Sequence, residues 1–189
     1  MPSNAAEVAR RHNPDDWTRA LAYRDRADLP FDLRGVPSAT QVMLDTTVYV
    51  DALSPWGLAD GVAALIARNP VFHSSVACAE LAITFGYLDP AHELTATNRS
   101  GLERALARIP TEIVRSPSSE AWIEAAVLAG ILGRTQGYPK AARRDLLLDA
   151  LLFLSAIELG CVLLSRNIRH MDLLSQLRPD GQILLYDRA

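Results

Sequence analysis

The chain has 189 residues, of which 49% are hydrophobic and 22% charged, an ordinary balance for one globular domain with an appendage. A formal net charge of −3 excludes a global basic field that would hold nucleic acid, although local basic patches can act alone. Cys78 and Cys161 lie in apolar surroundings without metal-ligand spacing, which favours reduced core residues in a cytoplasmic protein. The N-terminus has no signal pattern, and the apolar stretch 146–164 contains two acids, so we expect no membrane segment.

Residues 1–40 differ from the rest of the chain because arginines and acids are frequent in them and apolar residues are sparse. Asn13 followed by Pro14 is a favourable helix start, which predicts a helix over about residues 14–26. Proline, glycine and serine then predict a linker over residues 30–38. We therefore expect an N-terminal helical extension. Two interpretations of it stay open: a segment that packs on its own domain, or an arm that binds a partner or forms a dimer.

Residues 41–189 alternate between strand-like and helix-like segments. The strands are nearly continuous apolar runs, as strands covered on both faces are. In chain order the predicted elements are strand 42–45, helices 47–53 and 58–68, strand 71–76, helices 77–87 and 102–109, strand 111–114, helices 118–137 and 146–159, strand 161–165, helix 170–177 and strand 182–186. This alternation predicts an α/β fold, a three-layer α/β/α sandwich with a central parallel sheet.

Three acids stand in apolar stretches where a solvated carboxylate is not expected. Asp45 ends the first strand, Glu80 lies in the helix after the second strand, and Asp149 lies in the helix before strand 161–165. Burying one unpaired carboxylate costs several kcal/mol or forces its neutralisation. Because sites in parallel sheets form at the carboxyl ends of the strands, we expect these acids to meet Asn167, which follows strand 161–165. Oxygen ligands without His or Cys suit Mg²⁺ or Mn²⁺.

Four short segments carry this pattern in order: Leu44-Asp45-Thr46-Thr47-Val48, Ser75-Val76-Ala77-Cys78-Ala79-Glu80-Leu81, Asp149-Ala150-Leu151-Leu152 and Leu164-Ser165-Arg166-Asn167-Ile168-Arg169-His170. Together they resemble the PIN-domain ribonucleases, especially the VapC-type toxin nucleases. The resemblance covers about residues 41–189 and implies that Asp45, Glu80 and Asp149 bind metal and that Asn167 holds the fourth catalytic position. Many family members have Asp at that position, so Asn removes one negative charge. Residues 1–40 have no counterpart in the compact family pattern.

The resemblance implies a metal-dependent endoribonuclease that hydrolyses RNA phosphodiester bonds, the toxin of a type II toxin–antitoxin pair. It further implies a homodimer and a small antitoxin that fills the acidic pocket or covers nearby grooves. An alternative is a PIN-like module that binds RNA or protein without cutting, which Asn167 keeps open. A haloacid-dehalogenase-type phosphatase is disfavoured because Thr47 stands where that family needs a second acid, and Lys140 is the chain's only lysine.

Basic residues should frame an acidic pocket that receives RNA. The candidates for RNA contact are Thr47, Arg143, Arg144, Arg166 and Arg169, which neighbour the acids in sequence. Arg143 and Arg144 can equally be solvated loop residues.

Each candidate acid also has a structural interpretation. Asp45 is a good N-cap for the following helix, and Asp149 can pair with an arginine. Glu80 can be a solvated helix residue, and Asn167 an ordinary turn residue. For Asp145 we prefer a favourable interaction with the helix dipole over a place in the site.

Three other polar residues are expected to have no role in the site. We expect Asp51 and Asp172 to be surface acids, and His170 to begin a helix rather than act as a base.

Overall fold

The computed structural model describes residues 4–188 and contains a five-stranded sheet in which all neighbouring strands pair in parallel. The strands are β1 Val42–Leu44, β2 Val71–Ser74, β3 Val114–Arg115, β4 Val162–Ser165 and β5 Ile183–Leu185. Their order across the sheet is β3-β2-β1-β4-β5, so β1 is central. Val42 is in register with Val71 on one side and with Val162 on the other.

Helices flank this sheet, as expected when parallel strands are joined by right-handed crossovers. They are α1 Ala5–Ala9, α2 Thr46–Leu53, α3 Asp60–Arg68, α4 Ser75–Gly86, α5 Thr95–Ala107, α6 Ser119–Thr135, α7 Arg143–Glu158 and α8 Ile168–Leu177. Helices α6, α7 and α8 pack together, and α2, α4 and α5 form a second group. The predicted α/β fold with a central parallel sheet is confirmed.

The predicted elements after residue 41 are present, with two notable differences in their bounds. Helix α5 begins at Thr95, seven residues before the predicted start. Its first turn has residues that favour helices weakly, and burial of Thr95 holds that turn in place. The strand predicted over 111–114 is a 3₁₀ turn at Thr111–Ile113 followed by the two-residue strand β3. Pro110 precedes this turn and has no N–H to donate to a sheet.

The core lies between the central strands and helix α7. Val42 and Met43 of β1 are completely buried, and so are Leu151 and Phe153 of α7. Fully burying one such side chain contributes roughly 1.5–3 kcal/mol. This apolar wall holds the carboxyl ends of β1 and β4 rigidly, and Asp45 follows directly on β1.

The predicted helix over residues 14–26 is wrong. Asn13 does accept a hydrogen bond from the Asp15 amide, but it starts only a 3₁₀ turn, Pro14–Asp16. Arg134 of α6 donates hydrogen bonds to the carbonyls of Pro14 and Trp17, both at 3.0 Å. These tertiary hydrogen bonds hold the chain around the turn in a path that does not continue as a helix. The helix of this segment is α1 instead, where the Asn4 cap and Glu7 form a capping box.

The N-terminal segment, residues 4–40, lies on its own domain. Arg24 binds the carboxylate of Asp172 through its backbone N at 2.9 Å and its Nε at 2.6 Å. The prediction that Asp172 is a surface acid is therefore wrong, since only 1% of the residue is exposed. The Pro30 carbonyl accepts a hydrogen bond of 2.8 Å from the Leu185 amide, which covers the edge strand β5. These contacts support the first interpretation of the segment, and a role in dimer or partner binding stays a prediction.

The described residues include no helix that is both long and apolar enough to cross a membrane.

Candidate active site

Asp45 is both a helix cap and a buried acid at the carboxyl end of β1. Its side chain accepts a hydrogen bond of 3.4 Å from the Thr47 amide at the start of α2, and another from the Ser165 hydroxyl at the end of β4. Only 2% of the residue is exposed. Burial, followed by the negative charge of Asp149, raises the pKa of Asp45 to about 6, although the bonds from Ser165 and Thr47 lower it.

Glu80 reaches the same place from helix α4. Its carboxylate is half-buried and accepts a hydrogen bond from the Thr46 hydroxyl, so it is not a freely solvated side chain. Burial raises the pKa of Glu80 to about 7, and the charges of Asp149 and Asp45 add to the rise while the Thr46 bond lowers it. The charge of Asp149 thus acts on both Asp45 and Glu80.

Asp149, in the second turn of α7, is held by two side chains from the start of α8. The Asn167 amide donates to Asp149 Oδ2 at 2.9 Å, and His170 Nδ1 lies 2.5 Å from the same oxygen. The partner of Asp149 is therefore not an arginine. Asn167 is also the N-cap of α8, accepting from the His170 amide at 3.4 Å. His170 lies in the first turn of α8, as predicted, and its ring also lines the acidic pocket.

These side chains line one pocket of about 370 Å³. It contains the four predicted catalytic residues and two of the predicted RNA contacts. The lining residues are Asp45, Thr46, Thr47, Val50, Glu80, Asp145, Asp149, Arg166, Asn167 and His170. The sequence prediction did not identify Thr46 and His170 as members of the site. Asp145 reaches the edge of the pocket as well as standing in the first turn of α7.

Arg166 contributes a positive charge to the lining of this pocket. Its Nε donates to Asp51 Oδ2 at 2.7 Å, and its backbone N donates to the Thr47 hydroxyl at 3.1 Å. Asp51 is 1% exposed and also accepts from the Tyr186 hydroxyl at 3.0 Å, so the prediction that it is a surface acid is wrong. A buried carboxylate with two such donors fixes the direction of the Arg166 guanidinium.

The other predicted basic contacts do not line the pocket. The Arg143 side chain packs against Gly133: a Cβ atom added at Gly133 would lie 3.9 Å from Arg143 Nε. Arg144 forms an exposed pair of 3.5 Å with Asp145. Arg169 turns to the N-terminal segment and lies 5.1 Å above the centre of the Tyr23 ring. Roles for these three arginines in RNA binding stay predictions.

The donor chemistry of the pocket suits a divalent cation. Asp45, Glu80 and Asp149 offer oxygen ligands. Burial first, and then neighbouring negative charge, raises the pKa of Asp45 and of Glu80, and a bound cation would offset that charge. Within residues 4–188, no three His, Cys, Asp or Glu side chains are already gathered as a metal site. The acids therefore share a pocket and a field rather than a preassembled coordination shell.

No protein-family model matches the sequence, and no curated protein matches it significantly. Solved structures do match the fold. VapBC2 from Rickettsia felis, bound to a DNA fragment from its promoter, matches with 20% identity and a TM-score of 0.51 over 78% of this chain and 100% of its own. FitAcB from Neisseria gonorrhoeae matches with 18% identity and a TM-score of 0.51 over 76% of this chain and 96% of its own. DNA-bound VapBC from Salmonella typhimurium matches with 18% identity and a TM-score of 0.52 over the same shares. The chain therefore shares the α/β fold of these three proteins.

Proposed function

We propose that the protein is a metal-dependent endoribonuclease that hydrolyses phosphodiester bonds of RNA, and that it is the toxin of a type II toxin–antitoxin pair. One observation carries the proposal: Asp45, Glu80 and Asp149 come from three different elements and line one pocket at the carboxyl edge of the sheet. The likeness in fold to VapBC and FitAcB gives this pocket its context.

In this proposal Asp45, Glu80 and Asp149 hold the cation, and the hydroxyls of Ser165 and Thr46 keep two of the carboxylates in place. Mg²⁺ or Mn²⁺ held there would supply an activated water and stabilise charge on the attacked phosphate. Metal binding displaces protons from acids whose pKa values lie near neutrality, so affinity for the cation falls as the pH drops below about 7.

Arg166 and Thr47 position the RNA. The guanidinium of Arg166 lines the pocket and is held by Asp51, so it can bind a phosphate oxygen without losing much conformational freedom. The Thr47 hydroxyl accepts from the Arg166 amide and can donate its own proton to a phosphate oxygen. These two side chains give the acidic pocket a polar rim that RNA can approach.

A cleavage assay tests the nuclease. Purified protein is incubated with structured RNA and Mg²⁺ or Mn²⁺, and the reaction is repeated with a chelator and with Asp45→Asn. We expect cleavage by the wild-type protein with metal, and at least a hundredfold loss in the other two reactions, within the range that loss of a catalytic group produces. Equal cleavage in all three reactions would reject the metal mechanism.

The proposed antitoxin would dock in an apolar groove beside helix α2. Helices α2, α3 and α5 enclose a mainly apolar groove of about 370 Å³, with Leu53 and Leu58 in its wall and Arg104 and Arg108 in its lining. An amphipathic antitoxin helix with acidic flanks would complement it. Co-expression with a small protein encoded next to the toxin gene, where such a gene is found, tests this proposal: Leu58→Asp should abolish co-purification, and retention of the complex would reject the groove.

Asn167 favours a second candidate function, a PIN-like module that binds RNA or protein without cutting it. Its amide donates a hydrogen bond to Asp149, so the fourth position carries a neutral donor instead of a further negative charge. Metal-independent RNA binding with no cleavage of any RNA would favour this module over the nuclease.

A further inference from the structure

The N-terminal segment brings an aromatic side chain to the rim of the acidic pocket. Tyr23 is 42% exposed, and its hydroxyl lies 3.2 Å from the hydroxyl of Tyr138, which follows helix α6. The Tyr138 ring in turn meets His170 edge-on, with the ring centres 5.5 Å apart. His170 contacts Asp149. The side chains of Tyr138 and His170 thus connect Tyr23 to Asp149.

Arg169 completes a group of flat side chains at this rim. Its guanidinium lies over the Tyr23 ring, and its Nη2 donates to the Tyr23 hydroxyl at 3.3 Å. Arg169 is exposed and pairs with no acid in an ion pair of the described residues. We call Tyr23, Tyr138 and Arg169 the aromatic rim.

The chemistry of the aromatic rim matches an unpaired nucleotide. Bases of single-stranded RNA stack on aromatic rings and on guanidinium planes, and a guanidinium also attracts phosphate. Burial, followed by the bond to Tyr23, raises the pKa of Tyr138 to about 12, so this phenol stays neutral and does not repel an RNA backbone. The rim therefore offers an exposed ring and a positive charge beside a pocket of negative groups.

We infer that the aromatic rim is a nucleotide subsite, in which a base adjacent to the cleaved phosphate stacks on Tyr23 and Arg169. The inference rests on the proposed function, since it assumes that RNA enters the acidic pocket. It also gives the N-terminal segment a role: the segment supplies a substrate contact to a domain that otherwise holds the catalytic groups.

The test measures RNA binding and stacking on the full chain. Single-stranded RNA of mixed sequence, labelled with fluorescein for anisotropy or carrying 2-aminopurine, is titrated in Ca²⁺ so that binding is observed without Mg²⁺-dependent turnover. We expect Tyr23→Ala to weaken binding at least about fivefold and to lose the quenching of 2-aminopurine. Tyr23→Phe and Tyr23→Trp keep the ring and should bind within about twofold of the wild type.

The matched control is Trp56→Ala, which removes an exposed aromatic residue that lines neither the acidic pocket nor the rim. It should bind RNA like the wild type, and Tyr23→Ala should keep the wild-type melting temperature. If the wild type binds RNA and Tyr23→Ala binds equally well, the subsite is rejected and the proposed function stands. If Tyr23→Ala weakens only the antitoxin complex, the rim is a protein contact and the inference is also rejected. If the wild type neither binds nor cuts RNA, the proposed function fails, and the inference with it.

Discussion

At the scale of single residues, Asp45 shows how one side chain can be a structural cap and a candidate ligand at once. It accepts from the Thr47 amide, as an N-cap does, while the Ser165 hydroxyl binds its other oxygen. The two interpretations that the sequence left open are therefore compatible. This position leaves the Asp45 carboxylate buried and close to the charge of Asp149. Burial, and then that charge, raises the pKa of Asp45 to about 6.

This buried charge predicts the effect of Asp45→Asn on stability. The folded-state pKa lies above the ordinary value of 3.8, so folding binds protons and the contribution of Asp45 to stability falls as the pH rises from about 4 through 6. Asn keeps an acceptor for Thr47 and removes the charge. Without metal, we expect the variant to exceed the wild type by up to about 3 kcal/mol in free energy of unfolding at pH 8, and to equal it near pH 4.

Urea denaturation in chelator at several pH values measures this difference. Glu93→Gln, at an exposed acid outside the pocket, is the control and should change stability little at any pH. A variant Asp45→Asn that is less stable than the wild type at pH 8 would contradict the account of a destabilising buried charge.

Asn167 makes a second prediction at this scale. Asn167→Asp replaces the donor to Asp149 by a fourth carboxylate, which should lower stability without metal and tighten cation binding by about tenfold, or about 1.4 kcal/mol. The readout is the rise in melting temperature on adding Mn²⁺, which should be larger than in the wild type. Asn167→Ala removes the bond without adding charge and should show no larger rise. If Mn²⁺ raised the melting temperature of Asn167→Asp by no more than it raises that of the wild type, position 167 would not contribute to cation binding.

At the scale of elements, contacts with the domain set the conformation of the N-terminal segment more than its own sequence does. Asn13-Pro14 has the signals of a helix start, yet Arg134 takes the carbonyls of Pro14 and Trp17. The Gln136 side chain donates to the Leu21 carbonyl at 3.2 Å in the same way. Tertiary hydrogen bonds thus replace the helix that local propensity favours.

The ion pair between Arg24 and Asp172 should be the strongest attachment of this segment. Arg24→Ala leaves a carboxylate that is 1% exposed without its main partner, and we expect a loss of about 2–3 kcal/mol in free energy of unfolding. The loss stays below that for a fully buried pair because 36% of the Arg24 side chain is exposed. The control Arg26→Ala breaks an exposed pair with Asp187 and should cost about 1 kcal/mol or less. Equal losses in the two variants would show that burial does not set the strength of this attachment.

The elements after residue 41 could be predicted because their signals are local. Continuous apolar runs such as Val42–Leu44 and Ile183–Leu185 become buried strands whatever their partners are. The 3₁₀ turn before β3 could not be predicted in this way. Thr111–Ile113 looks strand-like in composition, yet after Pro110 it forms a 3₁₀ turn, and β3 pairs with β2 only at Val114 and Arg115.

At the scale of the whole molecule, the site is a product of long-range contacts. The acids were visible in sequence because each interrupts an apolar run, and the topology then brings Asp45 and Asp149 to one edge. The partners were not visible: Ser165 lies 120 positions from Asp45, and Arg166 lies 115 positions from Asp51. Asp51 resembles a surface acid along the chain because its partners Arg166, Tyr186 and Arg188 all lie more than 100 positions away in sequence.

The same reasoning applies to the aromatic rim. Tyr23 and Arg169 are 146 positions apart, and nothing local to either residue predicts their contact. The fold itself was predictable from alternation and strand composition, whereas the groups that tune the site were not.

The most direct test of the central claim follows cation binding and RNA cleavage on the same protein. Mn²⁺ binding is measured by electron paramagnetic resonance for the wild type, Asp45→Asn, Glu80→Gln and the surface control Glu93→Gln, and each sample is then assayed for RNA cleavage. The account predicts that both site variants lose Mn²⁺ affinity at least about tenfold and lose cleavage together, while the control keeps both. Site variants that bind Mn²⁺ as tightly as the wild type would contradict the claim that these acids form the metal centre.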